Sequence, residues 1–320
     1  MSVVMPVMRE SQRAGWHALF DVDDSHPTGW TLVGGQMVHL WCAERGRSPM
    51  RPTDDLDAVL DVRGEPSDPG VLMTFTTVLD RLGFVPAGTS PTGHQHRWVK
   101  GDAQIDVLIP RHVGERAAQR RGAGGGTTLE TPGAQQALDR TENVQVTVGE
   151  RHGSVRRPSL LDALVAKAAA HTVTLDTARA RHLDDFLVLT TLIEPADRVD
   201  AATRRDRDHL HGMLGAIAKS RRSLLAVDGA QDGVYTLRLA LGLEVSAADS
   251  SACAGPCAAR RPERSGPRAG AAWNRSDAST GLPRRQARRA SRRCQNTWRR
   301  LARVRSRSSS PRPDRRVRRA

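Results

Sequence analysis

Three carboxylates draw attention by their spacing. Asp55 and Asp57 lie two residues apart in Arg51-Pro52-Thr53-Asp54-Asp55-Leu56-Asp57, and a single acid, Asp106, follows in Ile105-Asp106-Val107. On an extended strand, residues i and i+2 project from one face, about 6.5 to 7 Å apart at the backbone. A third acid on a neighbouring strand would complete an oxygen-rich cage for a pair of hard divalent cations, which can activate an attacking hydroxyl and steady a leaving pyrophosphate. Upstream, Gly34-Gly35 ends an apolar run; paired glycines let backbone amides at a helix start approach a triphosphate. Asp54 alternates to the other face of the strand and is read as structural.

The elements that must position these residues follow from periodicity. Trp30 to Val33 reads as a short strand, Met37 to Cys42 as a helical turn or two, and Thr53 to Val62 as a strand with Leu56, Ala58 and Leu60 on one face and acids on the other. Val71 to Leu82 has helical spacing and stops at Gly83. Arg97 to Val99 and Gln104 to Ile109 read as a hairpin around Lys100-Gly101-Asp102. The glycine-rich stretch from Arg111 to Gly126 reads as a flexible loop, because no strand leads directly into its Gly-Ala-Gly-Gly-Gly run and no Gly-Lys-Ser/Thr follows. Val144 to Val148 is one more strand candidate. From Pro158, placed near a first turn, the pattern is helical: Leu160, Leu161, Leu164, Val165, Ala168 and Ala169 form one stripe, and further helices are expected over 177–193 and 201–220. The expected fold is α/β (α+β), a mixed sheet with flanking helices over 1–150, then a helical portion over 151–245.

Beyond Leu243 the periodicity stops. Of the 49 basic residues in the 320-residue chain, 21 arginines lie in 246–320 beside four acids, which leaves 28 basic and 31 acidic residues for 1–245. The net charge of +14 therefore belongs to the C-terminal segment, not to the body. Such an Arg-, Ala-, Ser- and Pro-rich composition buries too little apolar surface to offset chain entropy, so a disordered tail is expected over 246–320. Its abrupt onset also resembles a GC-rich gene read out of frame.

Gly-Gly, then Asp-x-Asp, then a later strand Asp is the signature order of DNA-polymerase-beta-type nucleotidyltransferases. The wording Val33-Gly-Gly-Gln-Met-Val-His-Leu40 followed by Arg51-Pro-Thr-Asp-Asp-Leu-Asp57 resembles the minimal and AbiEii-type toxin branch of that superfamily. The stretch from Leu164 through Lys167-Ala-Ala-Ala170 to Arg181-His-Leu-Asp-Asp-Phe186 is similar to that branch as well. Gln36 stands where many members have Ser or Thr. The resemblance covers roughly residues 25 to 195. It implies a transferase moving a nucleoside monophosphate from an NTP to an acceptor hydroxyl. Asp55, Asp57 and Asp106 would bind Mg2+ or Mn2+; Gly34, Gly35 and Thr53 would lie at the nucleotide, with Lys167 as an electrostatic clamp and Asp185 nearby. It further implies an RNA acceptor such as tRNA and a toxin with an antitoxin partner. Lys167 is one of three lysines, with Lys100 and Lys219, and its compact ammonium suits phosphate.

Other chemistries find little support. His94-Gln-His96 and His209-Leu-His211 lack a neighbouring cysteine pair for zinc, Cys253 and Cys257 fall in the tail, and no Gly-x-Ser-x-Gly elbow is present. Of the four cysteines only Cys42 lies in the body, so no disulfide framework is implied. No membrane-spanning run or leader pattern is found, which points to a soluble cytoplasmic protein. Two readings compete with RNA nucleotidyl transfer. One is a small-molecule, antibiotic-type adenylyltransferase sharing the metal site; the other is a non-enzymatic nucleic-acid-binding protein acting through its arginine tail.

Overall fold

In the computed structural model, residues 2–63, 70–174, 176 and 179–243 are described. The chain opens with β1 (Val3–Val4), α1 (Glu10–Ser25), β2 (Trp30–Val33), α2 (Gly34–Glu44), β3 (Asp55–Leu60) and α3 (Gly70–Arg81). It continues through β4 (Val85–Pro86), β5 (Arg97–Lys100), β6 (Ala103–Pro110), α4 (Glu115–Ala118), β7 (Leu129–Thr131), α5 (Ala134–Asp139), β8 (Thr141–Val148) and β9 (Arg151–Pro158). Five helices follow: α6 (Leu160–His171), α7 (Ala180–Thr190), α8 (Arg204–Ala218), α9 (Arg221–Ala226) and α10 (Ala230–Ala240). The segment 246–320, expected to be disordered, lies outside the described residues.

The architecture is mixed α/β, as the periodicity predicts. The larger sheet runs β2-β3-β6-β5-β4, with β7 beside the far end of β6. β3 and β6 are parallel and central, while β2 and β5 flank them antiparallel. One face carries Leu56, Ala58, Leu60, Ile105 and Val107, all buried; α1 covers it, and Phe75 of α3 meets the Trp30 ring edge-on. The approach of α1 is close: a Cβ on Gly15 would stand 2.5 Å from Leu56 Cδ1, so the helix crosses the sheet on a residue without a side chain. The opposite face divides along its length. At one end Val33 and Val59 pack with Ala134 and Ala137 of α5; at the other lie Asp55, Asp57 and Asp106. A face covered by a helix at one end and left polar at the other is how a sheet presents a cleft.

A smaller sheet, β1-β8-β9, packs on α1, where Gly153 leaves room for the Phe20 ring. The helices α6 to α10 form a bundle. Ser159 caps α6 by accepting from the Asp162 backbone N–H, and Thr203 and Asp206 form a capping box on α8. Met1–Leu243 is one compact unit.

Several boundaries differ from expectation. The 111–126 segment is not a free loop: it contains α4, and the Ala123 and Gly126 amides donate to Thr76 Oγ1 and Gln95 Oε1 at 2.8 and 3.0 Å. Pro158 closes β9 instead of opening a helix. The hairpin of β8 and β9 turns at Gly149, so residue 150, the expected end of the catalytic portion, falls between paired strands. The helices expected over 177–193 and 201–220 are shorter, at 180–190 and 204–218. No helix among the described residues is long and apolar enough to cross a membrane.

Candidate active site

The parallel pairing of β3 and β6 brings the three carboxylates together. Asp57 lies directly across from Asp106, and Asp55 sits two residues back on the same face. One carboxylate oxygen from each falls within 4.8 Å of the others. The start of α2 packs against this cluster. Gly34 has φ +69°, and a Cβ there would come 1.7 Å from Asp57 Oδ2, so only glycine fits both the turn and the neighbour. Gly35 is constrained by space alone: the Thr53 side chain would lie 2.7 Å from an added Cβ. The two glycines thus let the helix N-terminus rest on the strand that carries the acids.

Each acid is held differently. Asp55 accepts from Thr53 Oγ1 at 2.6 Å. Asp106 is paired by both oxygens with Arg97, whose Nε and Nη2 donate at 3.0 and 2.9 Å. Asp57 has no hydrogen-bond partner among the described residues. Burial, then the neighbouring charges of Asp55 and Asp106, push its carboxyl up to about 7, against a partial pull from Lys167 and Arg181. Three acids facing one another with one protein cation paired among them form a site short of positive charge. Oxygen-only donors at this spacing fit divalent metal ions.

A basic wall stands beside the acids. Lys167 is buried at 3 % exposure and donates to Asp185 Oδ2 at 2.7 Å. Arg51 Nη2 donates to the same oxygen at 2.8 Å. Burial alone would raise the Asp185 pKa, but the two cations beside it outweigh that effect and hold it below the usual range. The sequence places Lys167 at the edge of an apolar stripe; in the structure it is inside, anchored by Asp185. Asp185 is spent on Lys167 and Arg51, which makes it a support for those cations. His182 of α7 is pushed down to about 4 by burial and by the nearby Lys167 charge, so it stands neutral here.

Gln36 also has a definite place. Its amide accepts from Trp16 Nε1 at 3.2 Å and donates to the Thr53 carbonyl at 2.6 Å, and Gln12 donates to the same carbonyl at 2.7 Å. Where a serine or threonine is common in the resembled family, this chain has a buried strut between α1, α2 and the entry to β3. Asp54, on the other face, pairs with Arg9 at 2.8 Å near the surface. Arg97 and Arg181 were not anticipated. Arg97 was within reach of sequence reasoning, because a hairpin with Lys100 opposite Ala103 puts residue 97 opposite 106.

No protein-family profile and no curated protein matches the chain. Among solved structures, it is similar to an antigenic nucleotidyltransferase-like protein from Paracoccidioides brasiliensis, with 14% identity and a TM-score of 0.41 over 68% of this chain and 94% of that one. It is also similar to the antibiotic-resistance factor ANT(2'')-Ia, with 15% identity and a TM-score of 0.35 over 67% of this chain and 97% of that one. At these scores neither likeness carries a functional assignment, which rests on the site's own geometry.

Proposed function

We propose that this chain is a divalent-metal-dependent nucleotidyltransferase that moves a nucleoside monophosphate from an NTP to an acceptor hydroxyl. The observation that supports this best is the convergence of Asp55, Asp57 and Asp106 within 4.8 Å on adjacent parallel strands, with Lys167 and Arg181 close enough to act on Asp57. Asp55 and Asp57 would hold both metal ions and Asp106 the one on the acceptor side. When bound, Mg2+ or Mn2+ would supply the charge that polarises the α-phosphate and acidifies the acceptor hydroxyl. Gly34 and Gly35 open α2 toward the triphosphate, where helix N-terminal amides favour an anion. Thr53 fixes the Asp55 carboxylate, and Lys167, held by Asp185, offsets the charge growing on the departing pyrophosphate.

The acceptor in this reading is the one the resemblance implies, an RNA such as tRNA; the arginines at the site's margin are each already paired with an acid. Arg97 is paired at Asp106, Arg51 at Asp185, and the half-exposed Arg181 acts on Asp57. The test is transfer of label from each α-labelled NTP to tRNA, total RNA and hydroxyl-bearing small molecules with Mg2+. Label on RNA that disappears with chelator is expected. No transfer to any acceptor from any NTP would remove the enzymatic reading.

A further inference from the structure

We propose that Arg97 occupies the Asp106 carboxylate as a stand-in cation in the metal-free site and is exchanged for metal when the site loads. This rests on the metal reading above. Arg97 is directly opposite Asp106 across the β5–β6 hairpin, and its guanidinium takes both carboxylate oxygens at 3.0 and 2.9 Å. Gln104, two residues before Asp106 on the same face, accepts from the same Nε and Nη2 at 3.1 and 3.0 Å when its amide is turned to satisfy both ends. A carboxylate with both oxygens in a bidentate pair has its best lone pairs committed, so an incoming cation must displace the guanidinium or compete with it.

Lys167, Arg51 and Arg97 differ in how readily they can leave. The Lys167 side chain is 4% exposed and anchored in the helical bundle by Asp185, and Arg51 shares that anchor. The Arg97 side chain is 44% exposed, so its release costs little desolvation and returns a guanidinium to water. Asp57 has no pair to break and Asp55 only a hydroxyl. Metal loading therefore requires one ion-pair exchange, at Asp106, and Arg97 sets how much metal is needed. In the unloaded protein the same arginine offsets the repulsion among the acids. It acts through Asp106 and is a positioning residue.

Two measurements on the full-length, metal-free protein test this. In the first, arginine Nε–H resonances are followed during Mg2+ titration, with the Arg97 signal assigned by its loss in Arg97→Gln. A signal protected from solvent exchange without metal should move to a solvent-exposed position as Mg2+ saturates. In the second, Mn2+ binding is measured by electron paramagnetic resonance. Arg97→Gln should bind Mn2+ about tenfold more tightly than wild type, as expected for losing one charged hydrogen-bonded competitor. Arg97→Lys, which keeps the charge without the fork, should fall between, and it decides the matter if Arg97→Gln does not fold. An Arg97 signal unchanged at saturating Mg2+, or variants that bind Mn2+ no better than wild type, overturns the exchange while leaving the metal site standing. Absence of Mn2+ binding in wild type and both variants removes the metal site itself.

Discussion

Two clusters of acids in this molecule, one fully buried in the bundle and one partly exposed on the sheet, differ in the charge set against them. In the bundle, Asp162 and Asp206 are 0% and 1% exposed, and Arg140 spans both, donating to Asp162 by Nε and Nη2 and to Asp206 at 2.9 Å. Ser159 and the Thr203 amide add further bonds, and the group ties the end of α5 to the first turns of α6 and α8. On the sheet, Asp55, Asp57 and Asp106 face one another, and the one guanidinium paired there can leave. The first arrangement is bridged by a shared guanidinium and holds helices together, although Asp206 Oδ1 has no hydrogen-bond partner among the described residues. The second lacks that counter-charge, which is what the proposed metal ions would supply. Burial of acids alone is therefore a poor marker of a site; the missing counter-charge is the informative feature.

The contrast predicts opposite consequences of mutation. Asp57→Asn should reduce nucleotide transfer by at least ~10²-fold, while the metal-free protein stays folded, since the change removes a repelled charge at constant volume. Steady-state kinetics with a melting curve would measure both; near-normal transfer would dissolve the distinction between the clusters. Arg140→Ala should do the reverse. It leaves two buried carboxylates uncompensated and should cost about 3 kcal/mol, at the low end for a broken buried pair because Arg140 is itself a third exposed. For a unit of this size that lowers the melting temperature by roughly 6 to 12 °C, with activity per folded molecule preserved. A melting temperature within a degree or two of wild type would mean that Arg140 is not the clasp described.

Lys167 lies between the two cases and sharpens them. It faces the acids electrostatically, yet it is buried in an ion pair with Asp185. Lys167→Ala should therefore lose transfer by ~10²-fold and also destabilise by about 1 to 3 kcal/mol, because Asp185 keeps only Arg51. Lys167→Arg should recover part of each. A change in activity with no change in stability would place Lys167 at the surface, where the apolar stripe alone had put it.

The sheet face was legible because Leu56, Ala58 and Leu60 alternate with Asp55 and Asp57, a period that only a strand satisfies. The pairing of Asp57 with Asp106 was not, since strand register across a long crossover leaves no local signal. Lys167 was misplaced for a similar reason: its partner is 18 residues away on another helix, and an unpaired lysine would be at the surface. β9 escaped notice because Arg151-His-Gly-Ser-Val-Arg-Arg-Pro158 shows little apolar alternation; its Arg157 is buried instead by lying 3.5 Å over the Trp41 ring. α1 was not anticipated either, although Trp16, Leu19 and Phe20 carry helical spacing.

The charge deficit itself can be read from the melting temperature of the metal-free protein against pH, for wild type and Asp57→Asn. The Asp57 carboxyl rises from near 3.8 to about 7 on folding, so the folded state holds its proton more tightly. Its contribution to stability is present at low pH and is lost as pH rises through about 7. His182, pushed down to about 4, contributes the opposite slope between about 4 and 6.5, and it cancels in the difference between the two proteins. The two should melt alike only below about pH 4, the advantage of Asp57→Asn should open as pH rises from about 4 to about 7 and stay full near pH 8, and Mg2+ added there should raise wild type alone. An Asp57→Asn protein that melts lower than wild type at pH 8, or a Mg2+ shift equal in both, would contradict the claim that these three acids await a metal.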